Sequence, residues 1–257
     1  MIRYAQIALA AGALVAAVPA QAADFIIDTA ATKTTGTTGT SYGNTFTYQV
    51  KSTDGKSTIN VKATAWVRDL KGNFSAGQLA SWGSAGLGVY QNGLDPTNGN
   101  YHTVDNVNGW EFIVFQFDQA VSLQSAVLNP YALGSNRYTD NDAFIGWTSA
   151  NYNQAMTASR LDGLSTSLTG SFNSDSTDYK GAALQTYNLS PSQAGNVWII
   201  GGSFYGPDSL SDAFKLNTIK VSSGVPEPRT WMMMIAGFGL VGAAVRRRRG
   251  AAKAVAA

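Results

Sequence analysis

The sequence predicts an all-β fold, an antiparallel sandwich of jelly-roll-like form, flanked by an N-terminal signal helix and a C-terminal transmembrane helix. Three observations carry this reading. Runs in which apolar and polar residues alternate recur through the middle of the chain. Clusters of Gly, Asn, Asp and Pro separate those runs. No strand–helix–strand rhythm and no repeat of fixed period is present. The composition agrees: of 257 residues only 13% are charged, with 27 glycines, 11 tyrosines, 11 phenylalanines and 6 tryptophans, a balance that fits an extracellular β protein.

Residues 1–23 read as a secretory signal peptide. Arg3 is the basic region, Ile7–Val18 the apolar run, and Ala20-Gln21-Ala22 offers small residues where a signal peptidase reads. The expected mature chain starts near Ala23 or Asp24. Residues 24–43 read as a Thr/Gly-rich leader, because Thr29–Thr40 has no apolar periodicity. It also lacks the strict repeat that a surface-adsorbing threonine ladder needs.

Residues 44–224 form one β-domain, long enough for a single sizeable core. Phe46, Tyr48 and Val50 alternate within Thr45–Val50, and Ile59, Val61, Ala63, Ala65 and Val67 within Thr58–Val67. Trp110–Phe117 is nearly continuous apolar, as in a strand covered on both faces. Val121–Leu128, Ala143–Trp147, Ala182–Leu189, Val197–Ile200 and Phe214–Val221 complete at least eight strands, and Tyr152–Leu161 is a candidate short helix.

The chain ends in Val225-Pro226-Glu227-Pro228, Trp231, an apolar run to Val245 and Arg246 to Arg249. Two prolines break incoming secondary structure. A helix over the 15 residues from Trp231 to Val245 is roughly 22 Å long, against a bilayer core of about 30 Å. A Trp at one interface and snorkelling arginines at the other make this a short anchor with a cytoplasmic C-terminus. The segment spans residues 225–250, and 251–257 are a tail.

Composition excludes several function classes. Without cysteine there is no disulfide, thiolate metal site or cysteine nucleophile. With one histidine, His102, no two-histidine site exists. The 18 basic and 16 acidic residues divide unevenly. Arg3, Arg229, Arg246–Arg249 and Lys253 lie in the ends, with Glu227, so Asp24–Gly224 holds 11 basic against 15 acidic residues, a net of −4. Nucleic-acid binding loses its electrostatic footprint.

Candidate chemistry is sparse. Asp140 and Asp142, two apart on an extended chain, can face one hard cation such as Ca²⁺, with Asp105 and Asn106 as further oxygen donors. The EF-hand spacing is absent, and the same residues also serve as Asx turns. His102, three residues before Asp105, reads either as a general base or as a hydrogen-bonded structural histidine. Gly39-Thr40-Ser41-Tyr42-Gly43 matches G-x-S-x-G but lacks the strand–turn–helix context of a nucleophile elbow. Of five body tryptophans, Trp82 is the one expected near the surface, where its ring can meet a sugar.

The tail resembles the PEP-CTERM sorting signal of Gram-negative bacteria, in the variant with Trp three residues after the motif. Pro226, Glu227, Pro228, Trp231 and Arg246, Arg247, Arg248 and Arg249 carry the match. The resemblance implies recognition and removal by an exosortase, a transpeptidase-like membrane enzyme. Transient inner-membrane anchoring and delivery to the cell surface or exopolysaccharide matrix follow. Within the body, Trp82-Gly83-Ser84-Ala85-Gly86-Leu87-Gly88-Val89, His102-Thr103-Val104-Asp105-Asn106, the run from Glu111 to Asp118 and the late Asp212-Ala213-Phe214-Lys215-Leu216 carry a second likeness. They are similar to exosortase-dependent surface proteins, a family without assigned chemistry.

The expectation is therefore a secreted, non-enzymatic surface or matrix protein, glycan-contacting or Ca²⁺-stabilised, without other cofactor. The alternative is a polysaccharide-active enzyme using His102 and Asp105.

Overall fold

The computed structural model describes residues 22–29, 40–91, 93–96, 99–134, 139–165, 167–173, 184–189, 193–203 and 211–223, and in the tail 234–235, 237–239 and 241–242. The signal segment, the centre of the Thr/Gly run, Pro226, Glu227, Pro228, Trp231 and Arg246–Arg249 lie outside the described residues.

The strands, in chain order, are β1 (Asp24–Asp28), β2 (Thr40–Gly43), β3 (Thr45–Lys51), β4 (Thr58–Arg68), β5 (Phe74–Ala76), β6 (Gln78–Trp82), β7 (Leu87–Tyr90), β8 (Val104–Asp105), β9 (Trp110–Pro130), β10 (Ala143–Thr148), β11 (Gly170–Asn173), β12 (Gln185–Asn188), β13 (Gly195–Gly202) and β14 (Ala213–Ser223). One helix, α1 (Ala158–Ser165), follows β10. Every strand pairing among the described residues is antiparallel.

The 21-residue β9 organises both layers. Its first half pairs with β4 on one edge and β13 on the other. Its second half pairs with β14 and β12. The first layer runs β11-β10-β13-β9-β4, with β3 and β5 on the far edge of β4. The second layer runs β12-β9-β14 and continues through β1, β7 and β8 along β14, then to β6 and β2. Two separate strands, Trp110–Phe117 and Val121–Leu128, are expected from sequence; the structure joins them. Asp118, Gln119 and Ala120 are exposed where β9 passes from one layer to the other, so the polar pair Asp118-Gln119 marks a crossing within one strand and no turn.

The inner faces share one core. Val61, Ile113, Phe115, Trp198 and Ile200 come from the first layer, and Phe25, Leu123, Phe214, Leu216 and Val221 from the second. Trp147 stacks on its cross-strand partner Trp198, centroids 5.5 Å apart. Each fully buried side chain of this size contributes roughly 1.5–3 kcal/mol. The alternate residues Trp66, Phe112, Val114, Val197 and Ile199 form a second apolar cluster on the outer face of the first layer, covered by Met156 and Leu161.

Three local expectations are corrected. Asp24–Asp28 is not leader but strand β1, in register with Thr218–Ser222 of β14, because Phe25 and Ile27 alternate into the core. The helix begins later than Tyr152: the Thr157 hydroxyl accepts the Arg160 N–H at 3.2 Å, a cap that starts α1 at Ala158. Of Ala182–Leu189, the described strand is Gln185–Asn188.

The tail is a separate unit. Met234, Ile235, Gly237, Phe238, Gly239, Val241 and Gly242 are helical and exposed. Among the described residues no helix is long and apolar enough to cross a membrane.

Candidate functional site: an aromatic and lysine patch beside two buried carboxylate groups

The outer face of the second layer carries an aromatic patch. Strand alternation along β14 sends Phe214 and Leu216 into the core and Lys215 to the opposite side. There the Lys215 Nζ lies 3.7 Å from the centroid of the Tyr131 ring and 5.0 Å from that of Trp82. His102 stands edge-on to Trp82 at 5.3 Å and stacks on Tyr90 at 4.7 Å. The cross-strand partner of Lys215 is Asn129, whose amide donates to the Tyr131 hydroxyl at 3.1 Å and to the Ala85 carbonyl at 3.3 Å. Trp82, Tyr90, His102 and Tyr131 are all half-buried. The two sequence candidates for ligand contact, Trp82 and His102, thus meet, and the structure adds Tyr90, Tyr131 and Lys215.

Two glycines make this meeting possible. Gly86 has φ +107°, and a Cβ there would lie 2.3 Å from the Leu216 carbonyl oxygen. At Gly88 it would lie 2.0 Å from the His102 carbonyl oxygen. Only a residue without a side chain lets β7 and the turn before it approach β14 and the His102 segment so closely.

Burial lowers the Lys215 pKa to about 8. Burial, then the Lys215 charge, hold the His102 imidazole below its ordinary value. Burial raises the Tyr131 hydroxyl, against the hydrogen bond from Asn129.

The candidate metal ligands divide. Asp140 and Asp142 converge with Asp212, with one carboxylate oxygen from each within 4.8 Å of the others, all three residues being buried. The Asp142 N–H donates to Asp140 Oδ1 at 3.2 Å. Asp212 Oδ2 accepts the Asn106 amide and the Ser203 N–H, both at 2.7 Å, and the Asp212 N–H returns a bond to Asn106 Oδ1 at 3.1 Å. Asn106 therefore supports the group by binding Asp212.

Asp105, also expected in that group, belongs elsewhere. Its carboxylate accepts the Val107 N–H at 3.1 Å and the Thr103 hydroxyl at 3.3 Å, while its own N–H donates to Glu111 Oε2 at 3.2 Å. Glu111 Oε1 accepts the Gln91 amide at 3.1 Å, and Asp95 accepts the Gln91 N–H. Asp95, Asp105 and Glu111 are all buried. Burial, then the charges of Asp105 and Asp95, push Glu111 well above the usual carboxylate range. Burial is also the main cause that raises Asp105 to about 7 and Asp95 above its ordinary value.

Asp212 and Lys215 are functional candidates that sequence reasoning did not select. Both sit in Asp212-Ala213-Phe214-Lys215-Leu216, where Lys215 between two apolar residues reads as ordinary strand alternation and Asp212 as a polar strand end. No signal in the sequence sets Lys215 apart, because Trp82 and Tyr131 lie far from it along the chain and only the fold brings them together.

A further cleft of about 240 Å³ lies between α1 and the first layer, lined by Arg68, Phe74, Phe112, Phe144 and Leu168 among others. It belongs to the apolar packing under the helix.

Comparison with known proteins gives little for the body. No curated protein matches the chain. Among solved structures, the family 32 CBM from C. perfringens NanJ, in complex with galactose, is 12% identical over 62% of this chain and 93% of its own, with a TM-score of 0.28. The tail is different: the model of the PEP-CTERM protein-sorting motif matches residues 224–249. The chain thus carries a PEP-CTERM sorting signal at its C-terminal end.

Proposed function

We propose that this is an exported, non-enzymatic protein of the cell surface or exopolysaccharide matrix, whose body contacts glycan through the patch of Trp82, Tyr90, His102 and Tyr131. The PEP-CTERM motif implies export and processing by an exosortase at the inner membrane of a Gram-negative bacterium. Retention at the surface and the glycan contact are the further steps of this reading. The observation that carries the glycan contact is the half-exposure of four ring side chains on one face of the sandwich. Half-exposed rings of this kind stack on sugar rings, and since the Trp82 indole nitrogen is buried, Trp82 acts through its ring alone. A structural Ca²⁺ at Asp140, Asp142 and Asp212 belongs to the same reading, because converging carboxylate oxygens are the donors that a hard cation takes.

The enzymatic alternative needs Asp105 to orient His102. Asp105 instead directs its carboxylate to Val107 and Thr103, and His102 packs between rings. This favours a binding role.

Three measurements test the proposal. Pro226→Ala with Glu227→Ala is expected to abolish processing and surface delivery; unchanged delivery would exclude exosortase sorting. A glycan array with the purified chain is expected to give binding that Trp82→Ala loses. Turnover of a polysaccharide, abolished by His102→Ala, would instead establish the enzyme.

A further inference from the structure

Lys215 stands apart from the other lysines with described partners. Lys220 pairs with Asp24 at 2.8 Å, Lys56 with Asp54 at 3.8 Å, and Lys62 donates to the Tyr152 carbonyl at 3.1 Å. Lys215 is only 5% exposed. Among the described residues it has neither a carboxylate within 4.0 Å nor a hydrogen-bond acceptor, and its Nζ faces the rings of Tyr131 and Trp82. A desolvated ammonium is costly unless a negative group meets it, and aromatic faces return only part of that cost. The same position would accept an apolar side chain, since the rings of Tyr131 and Trp82 line it. A lysine held there beneath a rim of half-exposed rings is a cation kept for something brought from outside.

Resting on the glycan reading above, we propose that the patch selects an anionic sugar: the ring lies against Trp82 and its neighbours, and a carboxylate or sulfate of that sugar accepts hydrogen bonds from the Lys215 ammonium. Charge-assisted bonds of this kind are the strong ones in such sites. The body as a whole carries a net charge of −4, so it repels acidic polymers at long range. A preference for them must come from a local cation.

The experiment titrates the full purified chain with three oligosaccharide series of equal length: neutral galactan, polygalacturonate and sulfated galactan. Wild type is expected to bind one acidic series more tightly than the neutral one, and the two acidic arms identify the anion. Lys215→Met is expected to lose about 10- to 100-fold in affinity for that series alone, with a melting temperature no lower than wild type because a buried charge has been removed. Lys215→Arg is expected to retain the acidic preference, which keeps the test open if the methionine variant folds poorly. Trp82→Ala is expected to weaken every series that binds. Equal binding of neutral and acidic series, unaffected at Lys215, would overturn the charge selection and leave glycan contact standing. Binding of none of the three would overturn both.

Discussion

Asp140, Asp142 and Asp212 bring carboxylate oxygens within 4.8 Å of one another, although Asp140 and Asp212 also accept N–H donors, whereas Asp95, Asp105 and Glu111, met by backbone, amide and hydroxyl donors, form no such converging group among the described residues. Both groups are buried, and both contain a residue next to β14 or paired with it. Burial penalises each carboxylate, and neighbouring negative charge adds to the penalty. Converging oxygens are placed to answer this by sharing a cation, the Ca²⁺ proposed above. Dispersed ones answer it by holding protons, as the raised pKa values of Asp105 and Glu111 indicate. The lesson is that buried acids alone do not make a cation site; the direction of their oxygens decides which compensation is available.

Four measurements break or sharpen this contrast. The largest effect is expected for Asp212→Ala. It removes the acceptor of the buried Ser203 N–H and one of the two acceptors of the Asn106 amide, which keeps the Ser203 carbonyl at 3.3 Å, so thermal unfolding should show a loss of about 3 kcal/mol or more. A loss below about 1 kcal/mol would mean that the group does not tie β8 to β14.

Next comes cation removal. Ca²⁺ is expected to raise the melting temperature of wild type and of Glu111→Gln, and EDTA to reverse it. The pair Asp140→Asn/Asp142→Asn is expected not to respond. An equal response in that pair would place the ion elsewhere.

The third is pH. Asp105 and Glu111 have folded pKa values above their unfolded ones. Their contribution is therefore fully present below about pH 4, the ordinary carboxylate value, and is lost as pH rises through about 7 for Asp105. Melting temperature at constant ionic strength should fall by several degrees across that window. Glu111→Gln, which cannot ionise, should flatten the fall, and a parallel curve would show that the second group does not hold protons.

The smallest effect is expected for Thr103→Val. It removes a hydroxyl shared between the Asn100 carbonyl at 3.0 Å and the Asp105 carboxylate at 3.3 Å, costs about 1 kcal/mol, and should move the midpoint of the fall upward, because a bond to the charged form is gone. A downward move would reverse the assigned role of that hydroxyl.

Much of the fold was legible along single strands. The alternation of Ile59, Val61, Ala63, Ala65 and Val67 and the continuous apolar run of Trp110–Phe117 name β4 and the first half of β9, because each reports its own two faces. β5 to β8 were not legible: they run from two to five residues, too short for a period to show. The sorting motif was legible because its residues are consecutive. The body's sites were only half legible, because their members meet across long separations. Asp212 reaches Asp140 from 72 residues away, and Lys215 reaches Trp82 from 133. Asp105 adjoins Asn106 in sequence, yet the two residues serve different groups.

One pairing governs how the body can be held. Ser223 donates its N–H to the Ala23 carbonyl at 2.8 Å, and its hydroxyl accepts the Ala23 N–H at 2.8 Å, so the polypeptide enters and leaves the sandwich side by side. Lys215 lies eight residues back along β14, roughly 26 Å at 3.3 Å per residue. A tether fixed beyond Ser223 would therefore pull at one rim, a strand's length from Lys215 and from the ligand proposed for it.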